Sequence, residues 1–204
     1  MRRIRIVVAY DGTNYCGWQI QPNGITIEEI LNRQISKLTG EDIRIIGASR
    51  TDSGVHALGN VAVFDTESRI PGDRFAYALN QKMPEDIVIV RSDEVQIDWH
   101  PRYQNEISKT YEYHIYNAKV RNPLKNRYST FVSFDLDVEK MRQGAKYILG
   151  EHDFASFCNV RTNAKDTVRT VHEITITEIP MDKFQASNWE QENSNLENEK
   201  EIVI

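Results

Sequence analysis

The densest group of reactive side chains in this sequence lies in a short segment, residues 47–57. It reads Gly-Ala-Ser-Arg-Thr-Asp-Ser-Gly-Val-His-Ala and directly follows a predicted strand. A base (Arg50), an acid (Asp52), hydroxyls and an imidazole (His56) thus gather at a strand end, where binding and catalytic residues concentrate. Taken alone, Asp-Ser-Gly is also ordinary turn chemistry, in which an Asp bonds its own backbone, and for Asp52 this is the more common role.

Scattered acids and histidines allow a second chemistry, metal binding. Asp11, Asp52, His56 and His152 could in principle serve a metal-dependent phosphoesterase. The histidines lack the i, i+4 helical pairing of zinc enzymes, and Cys158 has no neighbouring cysteine. We therefore expect no metal site, and we expect both cysteines of the chain to be free thiols.

Charge is distributed unevenly along the chain. The net charge of −5 argues at first against a nucleic-acid partner, because phosphate binding depends on Lys and Arg. Residues 181–204, however, hold six acids and two lysines and so account for −4 of that total. Residues 101–130 hold six basic residues, two glutamates and five tyrosines, a mixture that suits a folded RNA. The candidate RNA contacts are Arg102, Lys109, Arg121, Lys125 and Arg127.

Length and hydropathy limit the cellular setting. At 204 residues, the chain is long enough for one large domain or two compact ones. No apolar run approaches the roughly 20 residues that a membrane-spanning helix needs. The Arg-rich start leads into an alternating strand pattern rather than a signal-peptide core. We therefore expect a cytoplasmic protein.

The elements that would position residues 47–57 follow a recognisable order. Residues 3–10 alternate and then become apolar, as does a strand that enters a sheet interior. A capping box at residues 26–29, followed by apolar residues at helical spacing, predicts a helix that ends at Gly40. Strands are further predicted at 43–48, 61–64 and 87–90, and a helix at 73–82. This β-α-β-β-α-β order is ferredoxin-like.

A second copy of this order is predicted in the other half of the chain. Its strands are expected at 111–116, 167–179 and 201–204, its helix at 138–149, and an exposed polar excursion at about 185–200. We therefore predict an α+β protein of tandem ferredoxin-like units. The first domain, residues 1–105, carries Asp52, and the second, residues 106–204, is incomplete.

Residues 50–57, which read Arg-Thr-Asp-Ser-Gly-Val-His-Ala, resemble the signature of the TruA family of tRNA pseudouridine synthases. The family usually reads R-T-D-A-G-V-H-A, so Ser53 replaces one small residue by another. Further similarities fall in the family's order along the chain. They are residues 10–12, 17–19, 99–102, 109–113, 150–154 and 167–170. By the same resemblance, residues 150–154 form a structural turn.

The resemblance implies a role for several residues. Asp52 is then the nucleophile, an ionised carboxylate that attacks or stabilises C1′ of the ribose while its bond to N1 of uracil breaks. Arg50 is expected to supply a cation near Asp52 and to contact the RNA, and Tyr111 to lie against the target base. Without the resemblance, Arg50 would be an ordinary surface residue and Tyr111 a packing residue of its strand.

The resemblance also implies partners. The substrate would be the anticodon stem-loop of tRNA, at positions 38–40, bound by a homodimer without any cofactor. The family pattern continues with a segment of the type G-N-G-F-L-Y-N-M-V-R that supplies an active-site arginine, and this sequence has no counterpart, so a C-terminally truncated member is expected. The alternative is a non-catalytic RNA-binding fragment or decayed copy.

Overall fold

The computed structural model describes residues 1–103, 108–158, 166–180 and 199–204. Two compact units, Met1–Ser108 and Lys109–Ile204, divide the chain. Both contain helices and strands, which confirms the predicted α+β class. The assignment of residues 1–105 and 106–204 to two ferredoxin-like domains stays a prediction.

The first unit contains four strands and two α-helices in the predicted order. A single sheet joins the strands in the order β2-β3-β1-β4, and every neighbouring pair is antiparallel. Two short 3-10 helices, Gly12–Asn14 and Gly72–Arg74, flank the sheet connections. The elements are β1 (Arg2–Tyr10), α1 (Ile27–Thr39), β2 (Ile46–Gly47), β3 (Ala57–Thr66), α2 (Phe75–Asn80) and β4 (Ile87–Val95).

One face of this sheet and the apolar stripe of α1 form the core of the first unit. Alternate residues of β1 are fully buried, among them Ile4, Ile6 and Val8, and they belong to one cluster with Leu31 and Ile35 of α1. Each buried aliphatic side chain of this kind contributes about 1.5–3 kcal/mol. The core therefore fixes the strand ends from which the loops of the candidate site emerge.

The boundaries of α1 follow from its sequence. The Oγ1 of Thr26 accepts a hydrogen bond from the backbone of Glu29 at 3.4 Å, and Gly40 ends the helix in the left-handed conformation at φ 77°. Both caps agree with the predicted ends of the helix.

Strand β2 is shorter than the predicted strand 43–48. The backbone N–H of Ile43 donates to Ser36 Oγ, and that of Ile45 donates to Asn32 Oδ1, each at 2.9 Å. Because these donors are used by side chains of α1, they are not available for a sheet ladder. Only Ile46 and Gly47 pair with β3.

The second unit contains a four-stranded sheet of order β6-β5-β10-β9 and a separate β7-β8 pair. Strands β5 and β6 are parallel, whereas the other neighbouring pairs are antiparallel. Among the described residues, no helix is long and apolar enough to cross a membrane. The elements are β5 (His114–Asn117), β6 (Thr130–Val132), α3 (Val138–Ala145), β7 (Gly150–Asp153), β8 (Val168–Val171), β9 (Thr177–Pro180) and β10 (Lys200–Val203).

Several sequence predictions for the second unit differ from the structure. The strand expected at 111–116 begins only at His114, and the helix expected to reach Leu149 ends at Ala145. The single strand expected at 167–179 is two strands in different sheets, because β8 pairs with β7 and β9 pairs with β10. The turn expected at 150–154 is largely strand β7. Nearly all of the excursion predicted at 185–200 lies outside the described residues.

Candidate active site

The segment that carries Asp52 forms a tight loop between β2 and β3. We call residues 48–56 the Asp52 loop. The backbone N–H of Val55 donates to the Asp52 carbonyl at 3.2 Å, and Gly54 adopts φ 79°, which favours glycine. The Asp52 side chain is exposed, and its carboxylate has no hydrogen bond or ion pair with any described residue. Asp52 thus contributes its backbone to the turn and leaves its carboxylate accessible.

A second segment, residues 11–18, runs beside the Asp52 loop, and we call it the cradle segment. Trp18 donates its backbone N–H to the carbonyl of Thr51 at 3.0 Å. The carbonyl of Tyr15 accepts two hydrogen bonds, from the backbone of Gly54 at 3.3 Å and from Ser53 Oγ at 3.2 Å. The residues on both sides of Asp52 are therefore bonded to the cradle segment.

Two glycines allow the cradle segment to approach this closely. A β-carbon at Gly12 would lie 2.0 Å from the carbonyl oxygen of Val55, and one at Gly17 would lie 2.5 Å from that of Thr51. Gly17 also has φ 78°. Any side chain at either position would push the two segments apart.

Two side chains of the sheet hold the first part of the Asp52 loop. The hydroxyl of Tyr10 lies 2.8 Å from Thr51 Oγ1, and the amide of Asn60 donates to the carbonyl of Ser49 at 3.1 Å. Burial raises the pKa of Tyr10, whose hydroxyl therefore stays protonated at neutral pH. The loop is thus anchored to β1 and β3 before it reaches Asp52.

His56, noted in the sequence as a reactive side chain, lies against the start of the cradle segment. Its Nδ1 is 3.0 Å from Asp11 Oδ1 and 3.2 Å from the backbone nitrogen of Gly12, which donates to it. Through either contact the ring is tied to this turn. The geometry gives His56 a role in fastening the end of the Asp52 loop.

Two arginines of the first unit were singled out from the sequence. Arg50 is exposed, and within the described part of the chain no cation lies within ion-pair distance of the Asp52 carboxylate. Arg102 donates from Nε to the carbonyl of Gly47 at 2.7 Å, directly before the Asp52 loop. Arg102 therefore holds the start of the Asp52 loop and also exposes a positive charge. Beside it in the sequence, the ring of Tyr103 stacks on that of His100 with 4.5 Å between centroids.

Tyr111 lies in the second unit and precedes β5. Its side chain is 78% exposed, so it does not pack within a strand as the sequence pattern alone suggested. An exposed aromatic ring is available for stacking on a base.

The basic candidates of the second unit differ in their surroundings. Lys109 and Arg127 are exposed. The guanidinium of Arg121 lies 5.3 Å from the centroid of the Phe131 ring. Lys125 Nζ lies 3.0 Å from Glu201 Oε2, so part of its charge is already used within the unit. Arg121 and Lys125 therefore differ in what their charge contacts, an aromatic ring in one case and a carboxylate in the other.

A second cluster of charges in this unit was not found from the sequence. His114 Nδ1 lies 2.8 Å from Glu201 Oε1, and its Nε2 lies 3.3 Å from Glu112. The hydrogen bond to Glu201 raises the pKa of His114, and the same bond lowers the pKa of Glu201. The two partners are 87 positions apart, and only the pairing of β5 with β10 brings them together.

The described residues do not assemble a metal site. Among residues 1–103, 108–158, 166–180 and 199–204, no three His, Cys, Asp or Glu side chains form a group that could hold a metal ion. Asp11 and His56 contact each other, but Asp52 does not join them in such a group. The phosphoesterase alternative therefore gains no support from this part of the chain.

Comparison with known proteins gives a consistent result. Residues 6–104 and 145–190 match the family described as tRNA pseudouridine synthase. The chain is 49% identical over 176 residues to the tRNA pseudouridine synthase A of Acetivibrio thermocellus, a match that covers 86% of this chain and 72% of that protein. It is 44% identical over 179 residues to the protein of the same name from Brevibacillus brevis, with 88% and 73% covered. The tRNA pseudouridine synthase A of Thermoanaerobacter pseudethanolicus is 46% identical over 176 residues, with 86% and 72% covered.

Proposed function

Because this chain belongs to the TruA family of tRNA pseudouridine synthases, which are isomerases, we propose that it converts uridine to pseudouridine in the anticodon stem-loop of tRNA. Asp52 is the nucleophile in this proposal. The observation that carries it is an accessible carboxylate on a loop whose backbone is bonded to the cradle segment on both sides of Asp52.

The chemistry needs a carboxylate that is ionised and correctly placed. One oxygen of Asp52 attacks C1′, or stabilises the positive charge that develops there, while the C1′–N1 bond breaks and its electrons leave with the uracil. The base then rotates, and the uracil uses those electrons to form the C5–C1′ bond while any bond between Asp52 and C1′ breaks. The proton on C5 is then removed, and N1 gains a proton in its place. Because the product is an isomer of the substrate, no oxidant, reductant or other co-reactant is consumed.

The target nucleotide must leave its stack before Asp52 can reach the sugar. This step costs a few kcal/mol, which contacts to the protein must offset. We assign Arg50, two residues from Asp52 and exposed, to the RNA backbone and to holding the nucleotide outside its stack. We assign the exposed ring of Tyr111 to the face of the target base.

The wider RNA surface is proposed to be basic. Arg102, Lys109, Arg121, Lys125 and Arg127 supply the charge that attracts tRNA phosphates. By resemblance to the family, positions 38–40 are the targets, the active form is a homodimer, the enzyme works in the cytoplasm, and no cofactor is involved.

Substitution of Asp52 by Asn tests the proposal. The variant keeps the size of the side chain and the loop backbone but removes the charge, so pseudouridine formation should fall below detection while tRNA affinity stays within about twofold. Asp73→Asn is the matched control, because Asp73 is also an exposed acid of the first unit but lies far along the chain from the loop. Products are counted by mass spectrometry of digested anticodon-arm RNA.

Two outcomes decide between enzyme and binding module. If the Asp52→Asn variant forms pseudouridine as fast as the unsubstituted chain, Asp52 is not the nucleophile. If this chain binds tRNA without turnover while the Acetivibrio thermocellus relative is active in the same assay, the RNA-binding alternative is correct.

A further inference from the structure

Asp86 lies in the turn before β4, outside the signature segment, and contacts the cradle segment at two points. Its Oδ1 accepts a hydrogen bond from the Tyr15 hydroxyl at 2.6 Å. Its backbone carbonyl accepts one from the N–H of Asp11 at 2.9 Å. Tyr15 is 6% exposed, and its part-buried hydroxyl bond to the Asp86 carboxylate is charge-assisted and of the stronger kind.

Both contacts lead on to the residues that follow Asp52. Tyr15 bonds Asp86 through its hydroxyl and bonds Ser53 and Gly54 through its carbonyl, so one residue spans the distance between them. Asp11, the other partner of Asp86, lies 3.0 Å from the ring of His56. Both ends of the segment that follows Asp52 are therefore connected to Asp86, residues 53 and 54 through Tyr15 and residue 56 through Asp11.

The position of the Asp52 carboxylate depends on the backbone that carries it. Within the described residues, no side chain holds that carboxylate by a hydrogen bond or an ion pair. A displacement of about 1 Å at a reacting group can cost roughly 100-fold in rate. The contacts that fix residues 53–56 therefore decide where the carboxylate stands.

We propose that Asp86 is a positioning residue for Asp52. Through the Tyr15 hydroxyl, Asp86 holds the Asp52 loop at a fixed distance from the turn before β4. Its effect on catalysis rests on the proposed function, whereas its effect on the loop does not. Burial and the neighbouring Asp86 raise the pKa of Tyr15 well above its usual value, so the hydroxyl keeps the proton that it donates.

Three substitutions separate this role from packing. Tyr15→Phe removes the hydroxyl and leaves the ring and the carbonyl in place. Asp86→Ala removes the acceptor, whereas Asp86→Asn keeps an oxygen that can accept the same bond. Ser92→Ala is the matched control, because the buried Ser92 also accepts a part-buried hydrogen bond through its Oγ, from the N–H of Ala76 at 2.8 Å, at a place that does not touch the loop.

The direct measurement is hydrogen exchange of three amides: those of Trp18 and Gly54, which join the loop to the cradle segment, and that of Val55, which closes the turn on the Asp52 carbonyl. In Tyr15→Phe and Asp86→Ala these amides should exchange about tenfold faster, while those of β1 paired with β3 keep their protection. In Asp86→Asn the increase should be at most about threefold. In Ser92→Ala the three amides should be unchanged.

Activity gives a second reading of the same variants. With anticodon-arm RNA, Tyr15→Phe and Asp86→Ala should lower kcat by about tenfold to 100-fold with KM within about twofold, and Asp86→Asn should restore most of kcat.

Unchanged exchange at Gly54 and Val55 in Tyr15→Phe overturns the proposal, even if Asp86→Ala fails to fold. An equal increase in Ser92→Ala also overturns it. Faster exchange in a chain that never forms pseudouridine supports the anchoring of the loop and contradicts the proposed function alone.

Discussion

Gly12 and Val55 lie so close together that a β-carbon at position 12 would be 2.0 Å from the Val55 carbonyl oxygen. Real β-carbons do not approach a backbone oxygen this closely, so one of the two segments must move if a side chain is introduced. Because Val55 follows the residue proposed as nucleophile by only three positions, this contact connects a glycine in the cradle segment to the catalytic geometry.

Gly12→Ala should therefore reduce activity. We expect the rate of pseudouridine formation to fall by at least about tenfold, because the Asp52 loop is displaced. Gly40→Ala is the control: Gly40 has φ 77° with nothing within 4 Å of a built β-carbon, so the substitution should cost about 1 kcal/mol of stability and leave the rate unchanged. Thermal melts and the RNA assay compare the two, and equal rates would contradict the expected displacement.

Thr26→Ala should destabilise the first unit through α1. The Thr26 side chain is fully buried and caps the helix, so its loss should cost about 0.5–2 kcal/mol. Thr26→Ser keeps the hydroxyl and should recover most of the difference. Denaturant titration followed by circular dichroism measures both variants, and an Ala variant as stable as the parent would show that the cap contributes nothing.

The stability of the second unit should depend on pH through His114 and Glu201. The pKa of His114 is raised, so its contribution is complete below the ordinary value of 6.5 and is lost as the pH rises through the raised value. The pKa of Glu201 is lowered, so its contribution is complete above 4.5 and is lost as the pH falls through the lowered value. Both contributions are present between these two ordinary values.

We therefore expect the second unit to melt at its highest temperature in that window and to lose a few degrees as the pH rises to 9. The pairs are partly exposed, so the effect is modest. His114→Gln should remove the loss on the alkaline side, while His152→Gln should retain it. A variant at position 114 that still loses stability between pH 6.5 and 9 would show that another group is responsible.

Basic residues of the second unit should differ in their contribution to tRNA affinity. Arg121→Ala should weaken binding and reduce the slope of log affinity against log salt by about 1, because one phosphate contact is lost. Lys125→Ala should change the slope less, since Lys125 already pairs with Glu201, but it should lower thermal stability. Fluorescence anisotropy across a salt series measures the slopes, and identical slopes for both variants would contradict this ranking.

The sequence predicted the boundaries of α1 correctly, because the residues that set them lie within the helix or next to it. The cap at Thr26, the apolar spacing of α1 and the stop at Gly40 are all within one helix, and the predicted boundaries agree with the observed ones. The prediction for β2 was wrong in length because Ser36 and Asn32 take the donors of Ile43 and Ile45. The side chains of α1 compete with the neighbouring strand for these backbone N–H groups, and the residues of β2 themselves give no sign of that competition.

The strands of the second unit were predicted less well, because pairing between distant residues decides where they begin and end. Residues 167–179 alternate without a breaker, yet they divide between two sheets because the partners, β7 and β10, lie in different places. In the candidate site, the octet around Asp52 was found from sequence, whereas the role that we propose for Asp86 was not. Its contact with Tyr15 spans 71 positions and carries no local signal.

Strand β1 precedes both of its partners along the chain and lies between them in the sheet, with β3 on one side and β4 on the other. Arg3 pairs with Asp65 on one side and with Val95 on the other. During synthesis, β1 therefore leaves the ribosome well before the residues with which it pairs, and the intervening chain has to close before either pairing forms. Throughout that interval the nascent strand has two unpaired edges and an exposed apolar face, and a strand of this kind is prone to aggregate.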